Sequence, residues 1–499
     1  PVVVAPVVTA LAADADATGT AGADIFTAAT GATTAATTLV GTNDIAGGEG
    51  ADILQLAMDA NFGGFTVTGA DTGSMTGIET VELTNTGTIA RSFNATGVSG
   101  VETYKVDGTN GVVNIVGSTD LTALELSNMA SGAFSITYAA PTGGTSPTAG
   151  TEDQLELTVE GLGSATADVA ITAAGVETVA ITSNAPATAA AAKNFMDLSG
   201  LSNVTGITVA GAADTDIAKV STTLTSFDAS AATGAVTVVL TAAVADGLKT
   251  IKTGSGDDTV TATIKDMPVN ATIDMGTGDA DLLVLSGAGE TTQYAMSGVE
   301  TLDVTDVTGT AVFSMDIAAG TSGTIQMGEA GAATPNPSAG TISFINDSGA
   351  KTVNVVGDST GSMSTDSAGA ATLNVSADSK ATKANGGDTA AMTFTADTAA
   401  SLDANVSGFV NQTGAISAAK ASSVTVTLGA DQAQNALKIS AAKAETVAIT
   451  DGKGATLNAA SDFTAAKTIS IDTTETTWSN LSVSKDGKTL VFDMLGDIY

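Results

Sequence analysis

Gly47-Gly48-Glu49-Gly50-Ala51-Asp52-Ile53-Leu54-Gln55 satisfies the pattern G-G-x-G-x-D-x-U-x at each specified position, U being a large apolar residue. The glycines let the backbone pass through left-handed conformations that a Cβ opposes. Such a turn aims carbonyls and the Asp carboxylate at a hard cation, and Ca²⁺ takes oxygen ligands of that kind. The residues after the Asp leave as a short strand with an inward apolar side chain, as in a calcium-binding β-roll or β-helix coil. A cation so held lies between two turns, so a partner turn is required. Gly19-Thr20-Ala21-Gly22-Ala23-Asp24-Ile25-Phe26-Thr27 has the frame with Thr for the second Gly, and Gly41-Thr42-Asn43-Asp44-Ile45 is a truncated copy. The frame returns at Thr253-Gly254-Ser255-Gly256-Asp257-Asp258-Thr259-Val260-Thr261, and at Gly276-Thr277-Gly278-Asp279-Ala280-Asp281-Leu282-Leu283 with one extra residue.

The candidate calcium ligands are therefore Asp24, Asp44, Gly47, Glu49 and Asp52 in a first cassette. A second holds Gly254, Gly256, Asp257, Asp258, Gly276, Gly278, Asp279 and Asp281. The metal-free reading of the same residues is Gly/Asp-rich turns. Stacked coils lie about 4.8 Å apart. At that spacing two carboxylates repel by roughly 3 kcal/mol at an effective dielectric of about 20. A cation between Asp24 and Asp52, or between Asp258 and Asp281, would turn that repulsion into bracing. Gly386-Gly387-Asp388 is only half a frame.

Short alternating strands must position these turns. Ile78-Glu79-Thr80-Val81-Glu82-Leu83, Val101-Glu102-Thr103-Tyr104-Lys105-Val106 and Leu121-Thr122-Ala123-Leu124-Glu125-Leu126 follow one another at about 20–23 residues. Each alternates apolar and polar, so one face is buried and one is wet. The phrase recurs at Val176-Glu177-Thr178, Val299-Glu300-Thr301 and Ala444-Glu445-Thr446. Its Glu reads as the outward start of a strand and not as a catalytic row. Met75-Thr76-Gly77-Ile78-Glu79-Thr80 is matched by Met296-Ser297-Gly298-Val299-Glu300-Thr301, each copy following a Gly/Asp cassette. The fold expected is all-β: a parallel β-solenoid or β-helix with two related modules. The expected boundaries are 1–140 for a first calcium module, 141–245 for further coils, 246–332 for a second calcium module, 333–474 for the C-terminal coils and 475–499 for a cap or assembly segment. The Pro-bearing stretches Ala140–Gly150 and Ala333–Gly340 read as loops. Val424-Thr425-Val426-Thr427 suggests a Thr array, but one without a regular repeat along the chain.

Composition narrows the function. The 499 residues include no Cys and no His. That excludes disulfides, thiolate chemistry and the commonest general base. Acidic residues number 53 against 17 basic, a formal charge of −36, which repels nucleic acid. No apolar run approaches the ~20 residues of a membrane-spanning helix. Pro1–Val8 is too short and lacks the basic flank of a signal peptide. The chain also starts without Met, so it is expected to be processed or part of a longer product.

The Gly/Asp turns, set among Ala/Thr/Ser/Val-rich coils with phrases such as Ala174-Gly175-Val176-Glu177-Thr178-Val179 and Leu224-Thr225-Ser226-Phe227-Asp228, resemble the calcium-dependent bacterial surface-layer proteins of the RTX class. The resemblance implies a secreted, non-enzymatic structural subunit that assembles with itself on the cell surface. It also implies Ca²⁺ in the turns, but attachment to a cell-surface polysaccharide or lipopolysaccharide does not carry over, since it would need a segment not visible here. An extracellular adhesin or filament subunit is the alternative. A β-helix polysaccharide-active enzyme is the third reading, disfavoured by scattered Lys residues and an isolated Arg91.

Overall fold

A computed structural model describes residues 7–140, 145–186, 193–240, 247–264, 271–289 and 293–315, and then 323–327, 341–345, 351–356, 362–365, 370–376, 393–406, 415–428, 434–451, 455–457, 462–473, 478–483, 490–494 and 497–498. The stretches Pro1–Pro6, Ala333–Gly340 and Gly386–Asp388 lie outside the described residues, as do residues 141–144 of the first Pro-bearing loop. Among the described residues there is no α-helix, and Thr34–Ala36 is a 3-10 turn. Short parallel strands stack into a β-solenoid, as the alternation and period predict. The chain divides into two compact units, Pro1–Thr261 with Gly276–Gly278, and Ala262–Met275 with Asp279–Tyr499.

In the first unit, one sheet stacks Ile25–Thr30, Ile53–Met58, Thr80–Asn85, Thr103–Asp107, Ala123–Ser127, Gln154–Glu160, Thr178–Asn184 and Gly206–Gly211. A second sheet runs from Arg91–Asn94 through Val113–Ser118, Gly132–Tyr138, Val169–Ala173, Asn194–Gly200 and Thr215–Lys219 to Val236–Leu240. Ala17–Thr18, Asp44–Ala46 and Ser74–Thr76 add a small third sheet at the N-terminal coils. Register carries the inward residues into columns. Phe26, Leu54, Val81, Tyr104, Leu124, Leu157, Ile181 and Val209 pair successively, and all are buried. Burying each such side chain contributes about 1.5–3 kcal/mol. Phe62, Phe65 and Phe93 widen this core at the first coils, with Phe62 stacked on Phe93 at 5.3 Å.

The second unit follows the same rule. Thr301–Met315 is one continuous strand serving both faces: its first half pairs with Leu282–Gly289 and Gly323–Met327, its second with Gln293–Ser297 and Thr341–Ile345. Later coils stack Lys351–Val356, Ala370–Ser376, Ser401–Val406, Ser423–Leu428, Thr446–Asp451 and Thr468–Thr473. Their outward residues also form columns. Ser401, Ser423, Thr446 and Thr468 align, and so do Asn405, Thr427 and Thr450. The Ser/Thr array, irregular as a phrase along the chain, is thus regular across coils, with steps of 22 or 23 residues between column members. The parallel pattern ends at Trp478–Val483, which pairs antiparallel with Leu490–Met494, itself antiparallel to Asp497–Ile498.

Candidate metal centre

The turn glycines of the first cassette stack. A Cβ on Gly19 would lie 1.9 Å from the Gly47 carbonyl oxygen, and one on Gly47 would lie 1.7 Å from that of Gly77. Only glycine allows the coils to approach this closely. Gly48 and Gly50 also take positive φ, at 107° and 131°. The Gly19 N–H donates to the Ala46 carbonyl at 2.7 Å, and the Gly47 N–H to that of Thr76 at 2.9 Å. Asp24 and Asp52 stack on successive coils, both buried, as the motif spacing predicts. Glu49 is exposed at the tip of its turn. Asp44 is placed elsewhere: it starts Asp44–Ala46 in the small sheet, where its N–H donates to Asp16 Oδ1 at 2.9 Å and its own Oδ1 accepts from Ser74 Oγ at 2.8 Å.

Each buried carboxylate is engaged by backbone. Asp24 Oδ1 accepts the Val7 N–H at 2.9 Å, and Oδ2 accepts the Thr20 N–H of its own turn. The Thr20 and Val7 donors hold the Asp24 carboxyl below its usual range. Asp52 Oδ1 accepts the Asp24 N–H at 2.7 Å, while its buried Oδ2 has no hydrogen-bond partner. Burial pushes the Asp52 carboxyl up, and the charges of Glu79 and Asp24 add to that, against the opposing Asp24 N–H.

The first unit repeats the design around Asp258. Gly254, Gly256, Asp257, Asp258, Gly276 and Gly278 belong to the first unit, Asp279 and Asp281 to the second. A Cβ on Gly276, at φ 81°, would lie 1.8 Å from the Gly254 carbonyl oxygen. Buried Asp258 accepts the Val236 N–H at 2.7 Å on Oδ1 and the Gly254 N–H at 3.1 Å on Oδ2. Burial raises its carboxyl above the usual range despite these donors. Asp257 and Asp279 are exposed, and Asp281 is buried with its N–H donating to Glu300 Oε2 at 2.9 Å.

Sequence reasoning missed the glutamates. Glu79 Oε2 accepts the Asp52 N–H at 2.7 Å, and Glu177 Oε2 accepts the Asp153 N–H at 3.0 Å. Glu300 does the same for Asp281. These are Glu of the recurrent Glu-Thr strand starts, so the signal was the recurrence itself. The Glu at a strand entry reaches back one coil and caps the entering N–H there. Glu445 differs, pairing with Lys467 Nζ at 2.6 Å.

Ca²⁺ needs about six to eight oxygens at 2.3–2.6 Å. Asp24 and Asp258 instead sit in cradles of N–H donors, whose positive ends point at the carboxylate and away from any cation partner. Asp52 Oδ2 is the one oxygen left uncommitted among Asp24, Asp52 and Asp258. No group of three acidic side chains gathers at metal-holding distance among the described residues. The described carboxylates by themselves do not make up a calcium shell.

Several basic residues also link coils. Lys105 meets Glu125 at 3.0 Å, Lys193 meets Asp216 at 3.1 Å, Lys219 meets Asp197 at 2.8 Å, and Arg91 meets Asp59 at 3.2 Å. No helix among the described residues is long and apolar enough to cross a membrane. The chain shows no match to a protein-family model, to a curated protein or to a solved structure.

Proposed function

We propose that the chain is a structural subunit of a secreted, self-assembling layer on a cell surface. One observation carries this reading: the outward face of the second unit repeats from coil to coil. Ser401, Ser423, Thr446 and Thr468 form one outward column and Asn405, Thr427 and Thr450 another, with Thr425 on the same face between them. Thr425, Thr446, Thr450, Thr468 and Ser470 are exposed. Short polar side chains at about 4.8 Å spacing across strands make a regular surface. Such a surface can meet a like one over the large area that a stable contact between copies requires. The charge of −36 favours a chain that stays dispersed until many weak contacts act together. The buried carboxylates Asp24, Asp52 and Asp258 are spent on joining coils, which favours a structural role over a polysaccharide-active one. Calcium has no step in this reading.

Electron microscopy of the purified full chain, concentrated with calcium and with chelator, tests it. Ordered sheets are expected. Fibres would favour the adhesin or filament reading, and dispersed single molecules at every concentration would end the assembly reading. Labelling of intact cells, with sheets under the label, is the matching test of surface location.

A further inference from the structure

We infer that the carboxylates of the Gly/Asp turns are themselves the occupants of their backbone cradles, so that these coils are fastened without a divalent cation. Six contacts share one geometry. The N–H at or beside a strand entry donates to a carboxylate one coil further on: Val7 to Asp24, Asp24 to Asp52, Asp52 to Glu79, Asp153 to Glu177, Val236 to Asp258 and Asp281 to Glu300. The separation along the chain ranges from 17 to 28 residues, yet the distance stays between 2.7 and 3.0 Å. Half of the acceptors belong to Gly-x-Gly-x-Asp-like frames. The other half are Glu-Thr glutamates without that frame. A role shared by both kinds follows from what both touch, and both touch the backbone N–H of the coil before.

The Gly/Asp frame adds a second donor. In Asp24 and Asp258 the other oxygen takes the N–H four residues upstream, from Thr20 and Gly254. At Gly19 the missing Cβ leaves room for the carboxylate, since one built there would lie 2.8 Å from Asp24 Oδ2. Two backbone donors around one carboxylate form a nest of the kind that binds anions, here filled by the chain's own charge. Hydrogen bonds to an ionised acceptor are the stronger class. They also answer the repulsion between Asp24, Asp52 and Glu79, since each N–H lies between one carboxylate and the next coil. The inference stands apart from the assembly reading, because it concerns cohesion within one chain.

Hydrogen exchange of the full chain, read by mass spectrometry in calcium and in chelator, tests it. Segments 7–24 and 47–58 of the unaltered protein are expected to exchange at rates within about twofold in the two conditions. Asp24→Asn is expected to speed exchange at the Val7 and Thr20 amides by about tenfold or more, and Glu79→Gln to do so at the Asp52 amide, alike with and without calcium. Calcium slowing exchange of the unaltered protein at residues 19–24 and 47–52 by more than about twofold would overturn the inference. So would unchanged exchange in Glu79→Gln. Should Asp24→Asn fail to fold, the unaltered protein and Glu79→Gln still decide.

Discussion

Gly47→Ala is the sharpest single perturbation of the stacked turns. The added Cβ would lie 1.7 Å from the Gly77 carbonyl oxygen and 2.6 Å from Asp52 Oδ2. The first contact is backbone, so no side-chain rotation relieves it. Restoring even a tight contact of about 3 Å requires the two coils to part by roughly 1.3 Å, the regime in which overpacking costs about 1–3 kcal/mol. The same parting stretches the bond from the Gly47 N–H to the Thr76 carbonyl, now 2.9 Å, beyond hydrogen-bonding range. That loss adds about 1 kcal/mol. The sum is about 2–4 kcal/mol, a fall in Tm of roughly 4–15 °C for a unit of this size. Gly63→Ala is the control, since nothing lies within 4 Å of a Cβ built there. Thermal melts followed by circular dichroism compare the three proteins. If Gly47→Ala melts with Gly63→Ala, the close stacking of the turns is wrong.

The other expectations concern the core, the wet face and alkaline pH. Leu124→Ala removes a fully buried side chain between Tyr104 and Leu157, and should cost about 2–5 kcal/mol in urea unfolding. Its neighbour Glu125, half-exposed and paired with Lys105, should cost no more than about 1 kcal/mol as Glu125→Ala; equal losses would refute the inward and outward assignment. Thr425→Lys puts charge on the repeating outer face, and should abolish ordered sheets in micrographs while moving stability by only about 0.5 kcal/mol. Intact sheets would remove that face from the assembly. Burial pushes the Tyr104 phenol well above its ordinary value, so the native state keeps its proton where the unfolded chain loses it. Burial raises the Tyr138 phenol likewise, so each of the two should lower stability by about 1.4 kcal/mol per pH unit above about pH 10, and Tyr104→Phe should remove its own share of that slope. Parallel pH profiles of the two proteins would contradict this.

The fold was legible because burial imposes an alternation that the sequence states openly. Val81, Tyr104 and Leu124 were expected at one phase of successive coils, and they pair in one column. The stacked glycines were legible too, since Gly19 and Gly47 occupy equal places in their frames. What those frames do was less so. The pattern names an Asp and its glycines but not the group that the carboxylate meets. The partner of Asp52 Oδ1 is an N–H in the coil before, and only the three-dimensional register brings it there. The Glu-Thr glutamates were visible as a recurrence, and their reach across coils was hidden for the same reason. Asp44 shows the opposite error: its frame resembles those of Asp24 and Asp52, but its coil position turns it onto another sheet. The regular Ser/Thr columns escaped notice because their members are single residues 22 or 23 positions apart, set in different sequence in each coil.

Coil length varies far more in the first unit, and that bears on how such a chain tolerates change. Leu124 pairs directly with Leu157, although the neighbouring coil joins Tyr104 to Leu124 with far fewer residues. The surplus is taken up outside the strands, at a corner that includes Ser146–Gly150, and the column above it continues unshifted to Ile181. Lengthening a loop costs only about 0.6 kcal/mol per doubling. Corners of this kind are therefore natural points of display. A foreign peptide inserted there would be carried outward while the coils beneath keep their order, so the chain can vary what it shows without altering how it is built.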